Sequence, residues 1–364
     1  MNPSKPKYLQ ISEKIRILIR NQTYKPGDLL PAEQDLAKKY GASRPTVAKA
    51  LKLLTDEKLV RRRAGFGTQV LAPGKSALTA AFLIPRIHET EIFEPICAGI
   101  TQTAAEAGMQ IIQSSEFSRE HDPRAFAETM TEEFIDARVN GVFFTPIEHI
   151  PGQQEFNLEI IKRLGRESIR VVLLDRDVYP WPRQTPYDLI GIDNIEAGYI
   201  MANHLLGNGC KKLAFVSGTY PAVTVQLRRI GSHEALVQAG HRANTLLDVE
   251  LDADQPERAA KALRKAGVQG IICANDATAA PLLRALLDLG IDLPHEMQVC
   301  GFDDVKYASL LSVPLTSYRQ PTKDIGRVAA RVMINRIKTP DSPPVRVTLR
   351  GQLVIRESSC GPID

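Results

Sequence analysis

Two sets of side chains in this sequence are spaced for polar chemistry. The first lies in SRPTVAKALKLL, where Pro45, Thr46, Lys49 and Lys52 share one helical face and Val47, Ala50, Leu51 and Leu54 the opposite one. Arg44 stands at the start of that helix, within reach of a guanine edge or a phosphate. Arg61, Arg62 and Arg63 follow, then Gly65-Phe66-Gly67, whose glycines permit a tight hairpin. The tip of such a hairpin enters a minor groove or lies along the backbone. A solvated hairpin carries arginines for no purpose as well; the position directly behind a helix pair favours DNA.

The second set follows apolar runs of strand length. Asp175 and Arg176 end one run, Ser217 and Tyr220 another, Asn275 and Asp276 a third, Asp303 and Asp304 a fourth. Each Asp or Asn alone serves equally to cap a helix or close a turn. Their recurrence at every corner of one cleft points to a polyhydroxylated ligand, whose hydroxyls need many donors and acceptors. Arg228, eight residues past Tyr220, is placed to lean over the same cleft, and Phe93 and Glu94 belong to a loop after the first strand. Asp303-Asp304 with Asp175, Asp177 and Glu94 raises the alternative of acid and base catalysis, a carbohydrate-active enzyme with an accessory nucleic-acid-binding module. No phosphate loop, metal trio or nucleophile motif accompanies them. No catalytic residue, metal site or cofactor is therefore assigned.

The elements that must hold these residues are legible from periodicity. Ile11, Ile15, Leu18 and Ile19 give a helix over about 8–21, and Pro26-Gly27 suits a type II turn. Pro31 is expected in the first turn of a second helix that buries Leu36, Ala37 and Tyr40. Gly41 permits a reversal and Ser43 is a good N-cap for the third. Past residue 78, apolar runs recur at 80–84, 109–112, 141–144 and 170–174, then at 212–216, 270–273 and 298–302, with room for helices between. Buried strands with helical crossovers mean parallel sheets, hence an α/β fold.

The charge divides the chain in the same place. The net +4 hides sixteen Lys and Arg against six Asp and Glu in residues 1–75, and 30 against 36 in the rest. Phosphate neutralisation is the obvious use of the first part. The expected organisation is a winged helix-turn-helix domain over 1–71, a linker over 72–78, and a two-lobed domain over 79–359. Lobe one is expected over about 79–177 and 320–339, and lobe two over about 188–313 and 344–359. The proline-rich stretch 179–186 would mark the region between lobes, with returning crossovers near 314–321 and 340–344. Five widely spaced cysteines without a CxxC suggest neither a zinc finger nor a redox pair. The absence of an export-signal core or a long apolar run predicts a cytoplasmic location and no membrane.

The amino-terminal segment resembles the winged helix-turn-helix domain of the GntR family of bacterial transcription regulators. The resemblance rests on the 24–31 proline turn, the AEQDLA helix, the SRPTV start and the GFGT wing. It implies that Arg44, Thr46 and Lys49 touch bases or nearby phosphates and that Glu33 sits beside the DNA. Residues 78–359 are similar to the sugar-sensing domain of the LacI and GalR family, through IDNIEAG, 205–218, RRIG, AND and GFDD. By that similarity Arg228, Asn275 and Asp303 hold effector hydroxyls or carboxyl groups. The hybrid resembles the bacterial arabinose repressor group. The implied partners are a double-stranded DNA operator, a sugar or sugar-derived effector, and a second copy of the chain in a homodimer. The implied function is repression; a sugar-responsive activator is the alternative. No hinge helix is evident between Val70 and Thr79, so a change in dimer geometry is expected to carry the response.

Overall fold

The computed structural model describes residues 6–20, 23–57, 59–63, 66–71, 78–85, 91–112, 122–148, 150–219, 221–242 and 245–362. It divides into two compact units, Met1–Ala77 and Leu78–Asp364. Of the expected linker, residues 72–77 lie outside the described residues, and Leu78 already opens a strand.

In the first unit α1 (Lys7–Arg20), α2 (Glu33–Tyr40) and α3 (Arg44–Asp56) precede the antiparallel hairpin of β1 (Val60–Arg63) and β2 (Gly67–Val70). Ile11, Ile15, Leu36, Val47, Ala50, Leu51 and Leu54 form its buried centre. The helical spacing of those residues is what forces three short helices together, since none buries enough apolar surface alone. Ser43 caps α3, its Oγ accepting from the Thr46 amide at 3.4 Å. Gly41 closes α2 at φ 55°, and Gly27 turns the chain at φ 96°. Pro31, expected inside the second helix, lies ahead of it: Ala32 is the N-cap, in extended conformation.

The second unit runs β3 (Leu78–Leu83), α4 (Phe93–Glu106), β4 (Met109–Ile112), α5 (Pro123–Asp136), β5 (Gly141–Phe144), α6 (Gln153–Arg166), β6 (Arg170–Leu174), β7 (Asp188–Ile192), α7 (Asn194–Gly207) and β8 (Leu213–Ser217). It continues through α8 (Val223–Gln238), β9 (Leu247–Glu250), α9 (Pro256–Ala266), β10 (Gly270–Cys273), α10 (Asp276–Asp288), β11 (Gln298–Asp303), β12 (Thr316–Arg319), α11 (Thr322–Lys338), β13 (Arg346–Leu349) and β14 (Gln352–Val354). Two six-stranded sheets result, ordered β13-β7-β6-β5-β3-β4 and β14-β12-β11-β10-β8-β9. All neighbours are parallel except β12 and β14. Strands such as Gly141–Phe144 and Gly270–Cys273 are buried along their whole length, as helices on both faces require.

This topology corrects the expected lobe limits. β7 and β13, assigned from sequence to lobe two, complete the sheet of lobe one. The reason is Asp188: Arg336 of α11 donates to its two oxygens at 2.8 and 2.9 Å, and the Val345 amide donates at 2.8 Å. That buried carboxylate fastens β7 and the approach to β13 to the helix covering lobe one. The proline-rich stretch 179–186 is accordingly a loop within lobe one, joining β6 to β7. The chain changes lobe at Asp193, at Gln320-Pro321, and between Leu349 and Gln352 rather than near 340–344.

Candidate DNA-binding face and effector cavity

In the first unit Arg44, Pro45, Lys49 and Lys52 are exposed on one side of α3 while Val47, Ala50 and Leu51 are buried on the other. Thr46 is half-buried, its Oγ1 2.8 Å from Ser43 Oγ. Lys49 places its ammonium 4.1 Å from the Tyr8 ring centroid, a cation–π contact that steadies it over α1. Arg61, Arg62 and Arg63 are exposed along β1. Arg62 is not a free cation, because Glu33 of α2 pairs with it. Arg44, Lys52, Arg61 and Arg63 have no ion pair among the described residues. Gly65 lies outside the described residues, and Gly67 has the expected left-handed backbone at φ 92°. Phe66, which periodicity did not single out, is 76 % exposed at the hairpin tip. An apolar ring flanked by glycines just after three arginines is the signal that was there to read.

In the second unit a cavity of about 250 Å³ opens where strand carboxyl ends of both lobes meet. Asp175 and Arg176 reach it from beyond β6, Asn275 from beyond β10, Asp303 from the end of β11 and Arg228 from α8. Arg228 is 4 % exposed and held on several sides. Its Nε donates to Asn194 Oδ1 at 2.9 Å, one Nη to the Ala274 carbonyl at 2.7 Å, and the other lies 3.5 Å from Asp303 Oδ1. Its guanidinium also sits 4.5 Å from the Phe302 ring centroid. Helix α8 can bring Arg228 so close because Gly198 and Gly231 leave no side chain between α7 and α8: a Cβ on either would overlap a backbone carbonyl of the facing helix.

Asn275 is both a helix cap and part of the cavity wall. Its Oδ1 caps α10, accepting from the Thr278 amide and hydroxyl at 2.8 Å each, while the residue lines the cavity. Asp175 takes a left-handed backbone, φ 68°, and Asp303 φ 98°, strain concentrated where the cavity wall is built. Burial pushes the Asp175 carboxyl up to about 6, against the attraction of Arg228. Burial brings Arg176 down to about 10.

Other expectations fall elsewhere. Glu94 is exposed on the first turn of α4, away from the cavity, because Ile92 takes the lining position on that segment. Phe93 is buried, its ring 5.8 Å from the Arg176 guanidinium, so it backs an arginine of the wall and does not line the cavity. Tyr220 lies outside the described residues. Glu148 lines the cavity from the segment after β5, and nothing in its sequence neighbourhood marks it. Among the described residues no cluster of His, Cys, Asp and Glu is arranged to hold a metal, and no helix is long and apolar enough to cross a membrane.

Comparison with known proteins agrees with this division. Residues 7–70 match the model of the bacterial regulatory proteins of the gntR family, and residues 202–359 that of the periplasmic binding protein-like domain. The arabinose metabolism transcriptional repressor of Geobacillus stearothermophilus is 24 % identical over 97 % of this chain and 98 % of its own length. The protein of that name from Halalkalibacterium halodurans is 27 % identical over 91 % of this chain and 89 % of its own. A LacI family transcriptional regulator from Enterococcus faecium, solved with bound ribose, superposes with a TM-score of 0.64 at 20 % identity, over 79 % of this chain and all of the other.

Proposed function

We infer from a GntR-family helix-turn-helix domain and a LacI/GalR-like, periplasmic-binding-like effector domain joined in one chain that the protein is a sequence-specific transcriptional regulator of the repressor type, modulated by a small sugar-like effector. The observation that carries the effector half is the cavity at the strand ends, with Arg228 fixed inside it by Asn194, Ala274 and Asp303. A guanidinium so held is a rigid donor array for ligand hydroxyls. Asp175, Arg176, Asn275 and Asp303 complete the polar wall. A neutral sugar is the effector, a class supported by the arabinose repressors and the ribose complex among the similar proteins.

The protein acts as a homodimer, one α3 per half-site of a roughly palindromic operator, since doubling a small groove contact is the economical route to specificity. Arg44, Thr46, Lys49 and Lys52 read or grip the major groove, and Arg61 and Arg63 hold the hairpin on the backbone. Effector binding alters the dimer geometry and so the spacing of the two helices. The chemistry is binding without catalysis. A thermal-shift screen of neutral sugars tests the effector half, and genomic-fragment selection with the full-length protein tests the DNA half. Failure of every sugar to shift the unfolding transition would remove the effector reading and leave the DNA reading standing.

A further inference from the structure

Glu148 makes contacts in both lobes. One of its carboxylate oxygens accepts from the Val223 amide of lobe two at 2.9 Å, and the other pairs with Arg176 of lobe one. The side chain is 5 % exposed. Val223 is the first residue of α8, and the N-cap position before it is Ala222, which has no side-chain acceptor to offer. A helix start leaves backbone donors unsatisfied, and a carboxylate there is favoured by the helix dipole as well. Glu148 thus supplies from lobe one the cap that lobe two lacks, on the helix that carries Arg228.

Its second contact decides what the cavity can accept. Arg176 also donates from Nε to Asp175 at 3.1 Å, so its cation is occupied by two carboxylates. Arg228 is occupied by Asn194, the Ala274 carbonyl and Asp303. The lining holds three carboxylates, Glu148, Asp175 and Asp303, against these two guanidiniums. An anion entering there would meet no uncommitted cation and a wall with an excess of negative charge, away from bulk water. Hydroxyls need no charge partner and find donors and acceptors along the same wall, including Ser217 and the Asn275 amide nitrogen.

We propose that Glu148 is the specificity-determining residue of the cavity: by occupying Arg176 and tying lobe one to the start of α8, it reserves the site for uncharged polyhydroxylated ligands and excludes acidic ones. The proposal rests on the effector reading above. Glu148→Gln keeps an acceptor for the Val223 amide and removes the charge that holds Arg176; Glu148→Ala removes both.

The test uses the full-length protein near neutral pH. Calorimetric titration with matched pairs, D-galactose with D-galacturonate and D-glucose with D-glucuronate, reads selectivity, and amide hydrogen exchange at Val223 in the ligand-free protein reads the tie between lobes. The wild type is expected to favour the neutral member of a pair, and Glu148→Gln to shift that preference toward the acid by about tenfold. Exchange at Val223 is expected to stay slow in Glu148→Gln and to quicken in Glu148→Ala. A wild-type preference for the acid, an unchanged ratio in Glu148→Gln, or Val223 exchange unaltered in Glu148→Ala each overturns the proposal. Silence of the wild type toward neutral and acidic sugars alike would instead overturn the effector reading, and the Val223 exchange would still decide whether Glu148 ties the lobes.

Discussion

Arg228 donates from Nε to Asn194 at 2.9 Å, joining the helix that overhangs the cavity to the first residue of α7, next to where the chain crosses from one lobe to the other. The arginine is therefore both a wall of the cavity and a brace at a crossing point. Arg228→Ala should abolish the sugar-induced thermal shift and leave operator affinity of the ligand-free protein unchanged. It should also cost about 1–3 kcal/mol of stability, because Asn194 and Asp303 lose a buried partner. Thermal shift and operator titration on the same preparation check this; a variant that still responds to sugar with unchanged affinity would contradict it.

The pairing of Glu33 with Arg62 makes a less obvious prediction for DNA binding. Arg44→Ala and Lys52→Ala should lower affinity and, where the contact is to phosphate, reduce the salt slope by about one. Glu33→Ala should do the reverse, releasing Arg62 and steepening the slope by about one. Fluorescence anisotropy against salt concentration distinguishes them. A weaker complex with Glu33→Ala would assign that glutamate a direct role in reading DNA.

The close approach of α7 and α8 is as legible in energy as in geometry. Gly231→Ala should destabilise the effector domain by about 1–3 kcal/mol, the usual range for overpacking, since its new methyl meets the Ile195 carbonyl. Denaturant unfolding measures it. Sugar affinity should fall in parallel, because α8 carries Arg228.

Two carboxyls set a pH dependence. Burial raises Asp175 to about 6 and Asp276 to about 8, both above the ordinary carboxylate value of 3.8. The folded domain then binds more protons than the unfolded chain between about pH 4 and 8. The stability these groups confer is present in acid and is lost as pH rises through 6 and then 8, at about 1.4 kcal/mol per unit for each group inside its window. Asp276→Asn should flatten the fall between pH 5 and 8. Parallel stability curves for the two proteins would refute the assignment.

Much of this was readable in the chain because the informative residues follow strong local rules. Ser43, Gly41 and the Val47, Ala50, Leu51 and Leu54 stripe fix the second helix turn, and fully apolar runs such as Val171–Leu174 announce buried parallel strands. The missed strands lack such a run: β9 (LDVE), β12 (TSYR), β13 (RVTL) and β14 (QLV) mix polar with apolar residues over 3 or 4 positions, and β7 (DLIGI) opens on a charged residue directly behind the proline-rich stretch. The lobe limits failed for a different reason: Asp188 is held by Arg336, a partner 148 residues away, and no local pattern encodes such a bond. Glu148 escaped notice likewise, since its meaning comes from Val223 and Arg176, remote in sequence.

The most direct test of the whole account is operator affinity measured with and without a saturating sugar that demonstrably binds the effector domain. A coupling free energy of about 1–3 kcal/mol predicts a change in affinity of roughly 5- to 150-fold, lost in Arg228→Ala. An operator affinity identical in the free and sugar-saturated protein would contradict it.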